Sequence, residues 1–204
     1  MGFDTATVET FAYYPWQRGE DDSIEITGPF PQKLVGVALG GSTAGTVEAE
    51  AALFDSWQQF VDSTADVTGK IVVILQPMPR ATDGAGYGAM SGAIRWAGPG
   101  VAQKRGAVGF VLRSLSTDDH RFPHAGATNW SDGKGIPAMA ISTPDADQLQ
   151  RIEAMQKAGK AGAGAPQDSV GIGLPGSRHL GQCGRRNQGF GASRASGGHR
   201  RPPR

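Results

Sequence analysis

The sequence predicts a mixed α/β fold up to about residue 160, followed by a disordered C-terminal arm. Short runs rich in Val and Ile, bounded by Gly, Pro or charge, indicate buried strands. An apolar stripe at helical spacing, preceded by capping residues, indicates a helix after the last run. Beyond Lys160, lysine and glutamate are absent and Arg, Gly, Ser and Pro dominate. Such a composition cannot bury enough apolar surface to offset the entropy of ordering.

The strand predictions follow from the apolar runs. Each run is short enough for a strand and too short for an average helix. Val47–Phe54 alternates acidic and apolar residues, a less decisive pattern, and a short helix is expected over Ser56–Val61. The predicted buried strands are Leu34–Leu39, Ile71–Leu75, Ala107–Leu112 and Ile136–Ile141.

Two further helices are predicted nearer the C-terminus. Pro99–Arg105 has a proline suited to a first helical turn. The clearest helix begins at Thr143, where Thr143 is expected to cap and Pro144 to take the first position. Its apolar stripe is Ala146, Leu149, Ile152 and Met155.

Composition excludes several classes of protein. A formal net charge of +1 over 204 residues gives no reason to expect nucleic acid or an anionic membrane as partner. No run approaches the roughly 20 apolar residues of a membrane helix. The single cysteine, Cys183, excludes an intrachain disulfide and a four-cysteine zinc site. The first residues show no signal-peptide pattern, so localisation is not indicated.

The arginine-rich arm has two interpretations. Arg185-Arg186, Phe190 between glycines and Arg200-Arg201 are the residue types of an RGG-like nucleic-acid arm. An arm rich in Arg, Gly, Pro and Ala without lysine is also typical of a GC-rich gene read out of frame. The motifs below favour the second interpretation.

Two local motifs lack the context that their chemistry needs. Gly84–Ala89 superficially matches a dinucleotide fingerprint, but Pro77, Pro79 and Asp83 separate it from the preceding strand. We therefore expect a flexible surface loop there. Asp118–His124 contains two imidazoles and two carboxylates, yet Pro123 opposes the helix that would bring the imidazoles together. A polar loop is the favoured interpretation.

A series of short motifs resembles the protease-associated domain of co-catalytic zinc exopeptidases, the family of bacterial aminopeptidases and plasma glutamate carboxypeptidase. The resemblance covers most of residues 1–160, and its strength lies in the order of the pieces. Where relatives read His-Thr-Gly, this chain has His124-Ala125-Gly126. The matching segments are Gly69–Ile74, Asp83–Gly88, Arg105–Val108, Arg113-Ser114, Thr117–Arg121, Pro123–Gly126, Ile136–Ser142 and Pro144–Asp147.

The resemblance implies an open β-barrel or sandwich-like sheet with flanking helices, lying over the active site of a peptidase domain. It also implies peptide substrates and two zinc ions in the intact family, bound partly by a Gly-Gly-His-Leu-Asp motif. That motif is absent here, since Gly197-Gly198-His199 is followed by Arg200-Arg201. We therefore expect no catalytic residue, no metal ligand and no cofactor on this chain.

The resemblance also gives a set of candidate residues near the substrate cleft of an intact relative. These are the polar residues Arg113, His120, Arg121 and His124, predicted to form an exposed cluster. A loop-stabilising polar network is the alternative explanation for the same residues.

A shifted reading frame permits a stretch that resembles the family pattern in the arm. If the frame moves by one base, Ala161–Ser169 permits PVRVRLKTR, and Arg178–Arg204 permits ATSANVVAEIKGSEHPEQVVVIGGHLD. The second stretch is a peptidase-type strand that ends in the zinc motif. Because synonymous codons were chosen to obtain it, the match is a consistency test for an insertion or deletion near codon 160.

The expected organisation has four parts. Residues 1–27 are an N-terminal remnant of a peptidase domain, 28–150 a protease-associated domain, 151–160 a helix end and 161–204 a disordered, out-of-frame arm. The expected function is that of an inactive fragment of a zinc aminopeptidase or carboxypeptidase. The alternatives are a stand-alone peptide- or protein-binding module and a nucleic-acid binder acting through the arm.

Overall fold

The apolar runs form one eight-stranded mixed sheet. The computed structural model describes residues 22–159 except 29, 132 and 133, the strand at 170–174, and isolated positions 7, 11, 16 and 18. All described strands and helices lie in one compact unit, Trp16–Gly181. The strands are β1 (Ile24–Gly28), β2 (Gln32–Leu34), β3 (Gly36–Ala38), β4 (Val47–Phe54), β5 (Ile71–Ile74), β6 (Gly109–Arg113), β7 (Ala138–Ile141) and β8 (Val170–Leu174).

The spatial order of the strands is β2-β1-β8-β4-β5-β6-β7-β3. The four consecutive strands β4 to β7 are parallel, whereas the pairs that involve β1, β2, β3 and β8 are antiparallel. The four predicted apolar runs all contain strand residues, and Val47–Phe54 is a strand. The mixed α/β prediction is confirmed.

The two outer strands are neighbours in the chain. A single residue, Val35, separates the end of β2 from the start of β3, so the sheet curls until its edges approach each other. A Cβ on Gly36, the position after this break, would lie 2.6 Å from Ile24 Cγ2, so any larger residue there would require a shift of the buried Ile24. The result is an open, curled sheet with a seam at Val35.

Each face of the sheet carries its own hydrophobic core. Successive residues of a strand point to opposite faces, so Ile71 and Val73 pack in the core that contains Leu149 and Ile152. Val72 and Ile74 pack in the second core, against Phe60 and other helical side chains. Burying a large aliphatic side chain stabilises the fold by roughly 1.5–3 kcal/mol, and these two layers fix the strand positions.

The helices cover the two faces. Ser56 caps α1 by accepting a hydrogen bond from the Gln59 N–H. The cap of α4 is Ser142, one residue before the predicted Thr143, because the Ser142 hydroxyl lies against the Asp145 N–H. None of the described helices is long and apolar enough to cross a membrane. The helices are α1 (Trp57–Asp62), α2 (Ala85–Met90), α3 (Gly98–Lys104) and α4 (Thr143–Lys157).

The predicted flexible loop at Gly84–Ala89 is wrong, because α2 begins there. Gly84 takes a left-handed backbone conformation, with φ of 74°, and the Asp83 carboxylate accepts a hydrogen bond from the Ala85 N–H. Gly86 is buried against the backbone of Pro79. The glycines that suggested a loop instead permit a tight turn and close packing.

A π-helical segment, Ser91–Ala97, joins α2 to α3. Pro99 lacks an N–H and would clash with the carbonyl four residues earlier in a regular α-helix. The π-helical segment ends at Ala97, two residues before this proline. The Trp96 carbonyl, in the same segment, accepts hydrogen bonds from the Asn129 N–H and the Thr128 hydroxyl, which ties this helical segment to the loop after β6.

Strand β8 corrects the prediction of disorder for part of residues 161–204. Val170–Leu174 pairs antiparallel with both β1 and β4, and the Ile172 side chain is fully buried. Apolar residues at alternate positions explain this strand despite the surrounding composition. The rest of that arm and most of residues 1–21 lie outside the described residues.

Candidate functional site

The loops that follow β5, β6 and β7 meet at one edge of the sheet. In sheets with parallel strands, ligands bind outside the carboxyl ends of the strands. Here that edge consists of residues 75–84, residues 114–128 and the beginning of α4. It contains the predicted cluster of arginines and histidines, and also a pocket that the sequence did not indicate.

A buried carboxylate, Asp145, connects this edge to the seam of the sheet. Its Oδ2 accepts hydrogen bonds from the Val35 N–H at 2.8 Å and from the Ser142 hydroxyl at 2.7 Å. Its Oδ1 accepts from Arg121 Nε at 3.0 Å. Arg121 Nη2 also points to the Lys33 carbonyl, at 3.4 Å. Asp145 therefore joins α4, the β6 loop and the break between β2 and β3.

A second ion pair anchors the start of the same loop. Arg113 Nη1 donates to Asp147 Oδ1 at 2.5 Å, and only 12% of the Arg113 side chain is exposed. The next residue, Ser114, is buried; its hydroxyl donates to the Ile141 carbonyl and accepts from the His124 N–H. These contacts hold both ends of the Ser114–His124 loop against β7 and α4.

The side chains of the two histidines in the loop are exposed, whereas their backbone N–H groups donate hydrogen bonds within the loop. The His120 side chain is 86% exposed, and its N–H donates to Asp118 Oδ1 at 3.1 Å. The Ser116 hydroxyl donates to Asp118 Oδ2 at 2.8 Å and lowers the pKa of that carboxyl below its ordinary value. Partial burial opposes this pKa shift, while the His120 N–H and the charges of His120 and His124 reinforce it.

A surface pocket of about 330 Å³ lies beside this loop. Met78, Pro79 and Tyr87 give it apolar walls, and Thr117 connects it to the β6 loop. Arg80 also lines the pocket and donates through Nη2 to the Thr117 carbonyl at 2.6 Å. This volume falls within the range of small-molecule sites.

A second arginine lies behind one wall of the pocket. The Arg95 guanidinium stacks on the Tyr87 ring, 5.1 Å from its centroid, and Nη2 donates to the Tyr87 hydroxyl at 2.7 Å. It also lies over the backbone of Gly126, where a Cβ would approach it to 2.4 Å. Gly126 thus leaves the space that Arg95 occupies beside Tyr87.

The known proteins that this chain resembles in sequence or structure include several peptidases. A solved peptidase M28 precursor from Shewanella amazonensis superposes with a TM-score of 0.67 and 37% sequence identity, over 78% of this chain and 34% of that one. Carboxypeptidase Q from Homo sapiens is 28% identical over 156 residues, and that from Mus musculus is 26% identical over 155. The chain is a homologue of the co-catalytic zinc exopeptidases.

This exopeptidase homologue spans about a third of its relatives: the aligned part is 31% of human or mouse carboxypeptidase Q and 74% of this chain. No model of a known protein family matches the chain.

The metals of the family do not fit the described part of the homologue. Among residues 22–159, 170–174 and the isolated positions before them, no three His, Cys, Asp or Glu side chains come together as a metal site. His120 and Asp118 approach only to 3.9 Å. No chemical step on these residues is assigned to zinc.

The predicted exposed cluster is only partly as expected. His120, Arg121 and His124 are exposed, but Arg113 is largely buried, so its assignment as exposed is wrong. Arg113 and Arg121 both pair with carboxylates of α4. These pairs are what the alternative explanation, a loop-stabilising polar network, predicts. Whether any of the four residues faces a substrate cleft stays a prediction.

Several important residues of this edge were missed from the sequence. Ser142 and Asp145 have the spacing of a capping box, a signal that could have revealed their partnership. The roles of Arg80, Tyr87 and Arg95 depend on contacts between the β5 loop, the helical segment and Thr117. Such contacts leave no local sequence pattern.

Proposed function

We propose that this chain carries the protease-associated lid portion of a zinc-dependent exopeptidase that acts on peptides. The observation that carries the proposal is the match to the Shewanella peptidase, with 37% identity over 78% of the chain. The ordered motifs from Gly69 to Asp147 support the assignment to the lid. The lid boundaries are proposed as residues 28–150, and the described sheet extends beyond them through most of β1 and all of β8.

The residues after Lys160 are proposed to be translated out of frame. Support comes from the abrupt loss of lysine and glutamate. It comes also from the peptidase-like stretch that a one-base shift permits over Arg178–Arg204. The presence of β8 does not argue against a frameshift. Five residues with apolar side chains at alternate positions can pair in a sheet whether or not they are translated in the original frame.

The 204-residue chain is proposed to lack peptidase activity. Hydrolysis in this family needs metal-bound water and a polarised carbonyl, and the sequence contains no Gly-Gly-His-Leu-Asp segment. Incubation with aminoacyl-anilide and dipeptide substrates tests this directly. We expect no turnover, and no stoichiometric zinc by elemental analysis after dialysis.

A matched comparison shows whether inactivity comes from the missing zinc motif or from instability of the protein. The same gene, with one base inserted or removed at codon 160 and with the DNA downstream of codon 204 included, is expected to give a product with chelator-sensitive peptidase activity. Chelator-sensitive cleavage or tightly held zinc in the original 204-residue chain would contradict the proposal.

A further inference from the structure

The pocket beside the β6 loop has the properties of a binding site rather than of a packing defect. Its walls are mostly apolar, through Met78, Pro79, Ala81 and Tyr87, and its volume is about 330 Å³. A leucine-sized side chain would remove apolar surface from water on both partners, which favours binding. Polar groups are few and lie around it: Arg80, Thr82 and Thr117.

Arg80 supplies a cation that is held in place and not neutralised. Its Nη2 is fixed by the Thr117 carbonyl. Among the described residues it makes no ion pair. The two neighbouring aspartates in these loops have other partners: Asp83 accepts from the Ala85 N–H, Asp118 accepts from Ser116 and His120, and neither forms one of the described ion pairs with Arg80. The remaining donors of the guanidinium are suited to an incoming carboxylate.

We propose that this pocket binds the free C-terminal carboxylate of a peptide that ends in an apolar residue. Arg80 pairs with the carboxylate, and the apolar side chain lies against Met78, Pro79 and Tyr87. Arg95 keeps the Tyr87 ring in position through stacking and its hydrogen bond. The peptide class rests on the proposed function; the carboxylate and the apolar side chain rest on the pocket itself.

N-acetyl-leucine is the probe, and the whole 204-residue protein is titrated with it by calorimetry or by NMR chemical-shift changes. Two matched probes dissect the contacts: N-acetyl-leucinamide lacks the carboxylate charge, and N-acetyl-glycine lacks the side chain. We expect each to bind at least about tenfold more weakly than N-acetyl-leucine, because each loses one of the two contacts.

Arg80→Gln is the decisive variant. It is expected to weaken N-acetyl-leucine at least about tenfold and to abolish the preference over the amide. Arg151→Gln is the control, since Arg151 is exposed on α4 and bonds only Gln148 among the described residues. It should leave the affinity unchanged. Circular dichroism melting curves test whether both variants are folded.

Three results would overturn the proposal: no saturable binding of N-acetyl-leucine, equal affinity for the amide, or unchanged affinity in Arg80→Gln. Failure of the lid and frameshift proposal is detected separately, in the DNA sequence and the peptidase assay. Binding at this pocket can therefore fail while the family assignment holds, and the reverse.

Discussion

Two groups of arginines lie at the same edge of the sheet and differ in what they face. Arg113 and Arg121 point to carboxylates of α4, within 3.0 Å. Arg80 and Arg95 bond a backbone carbonyl and a phenol, and neither forms an ion pair among the described residues. The first group joins elements of the fold, and the second leaves positive charge beside a pocket.

The presence of an arginine alone therefore does not identify a binding site. An arginine whose charge is matched by a carboxylate within the fold has little electrostatic interaction left for a ligand. An arginine oriented by neutral acceptors retains it. The comparison can be tested by substituting members of each group and measuring stability and binding side by side.

The largest effect on stability is expected from replacing Asp145, the carboxylate that accepts a hydrogen bond from Val35 at the seam of the sheet. Asp145→Ala leaves the part-buried Val35 N–H and the buried Ser142 hydroxyl without their acceptor and should destabilise the protein by about 2–4 kcal/mol. Arg121 adds little to this, because its side chain is 57% exposed. Urea unfolding followed by circular dichroism measures the change.

Asp147→Ala is the matched control for that experiment. It is also an α4 aspartate paired with an arginine, but its side chain is 43% exposed. The free energy of unfolding should fall less than in Asp145→Ala. Equal losses in the two variants would show that the seam contacts of Asp145 carry no special weight.

The next effect concerns the two arginines that face carboxylates. Arg113→Met should cost about 1–2 kcal/mol, because Arg113 is largely buried beside Asp147. Arg121→Met should cost less than about 1 kcal/mol, since an exposed ion pair contributes little. Chemical denaturation of both variants ranks them, and a larger loss in Arg121→Met would reverse this assignment.

Smaller still is the expected change at the pocket side. Arg95→Met should shift stability by about 0.5 kcal/mol or less, because its contacts with Tyr87 are at the surface. It should nevertheless weaken N-acetyl-leucine, as Tyr87 loses its support. A loss of stability as large as that of Asp145→Ala would remove the distinction between the two groups.

The smallest effect is a pH dependence at Asp118. The pKa of Asp118 is lower in the folded protein than in the unfolded chain, chiefly through Ser116. Its contribution is therefore present above the unfolded pKa of about 3.9 and is lost as pH falls through the folded value. The unfolding midpoint should fall less steeply with decreasing pH in Asp118→Asn than in the original protein, over roughly pH 5 to pH 2. An unchanged slope would contradict the assignment.

The strands of the fold were predictable because their apolar runs are local signals. Ile71–Ile74 and Ala138–Ile141 lie within the predicted strands, and Gly109–Arg113 overlaps the predicted Ala107–Leu112 in all but its last residue. The helix at Ala85 was not predicted, because its glycines give no apolar periodicity and its packing depends on Pro79. β8 was missed since five alternating residues were outweighed by the surrounding arginine-rich composition.

The candidate site was less accessible to sequence analysis than the fold. The sequence indicated that Arg113 and Arg121 belong together, but it could not give their partners, which lie 34 and 24 residues away on α4. The pocket depends on Arg80 meeting Thr117, 37 residues later. Long-range contacts of this kind follow from the strand order and not from any motif.

The DNA sequence around codon 160 tests the central claim most directly. We predict that a single inserted or deleted base separates the lid from a downstream frame, and that this frame encodes a peptidase strand ending in Gly-Gly-His-Leu-Asp. A gene in which no shifted frame gives a peptidase-like continuation would contradict the claim that this chain is the lid portion of an interrupted exopeptidase.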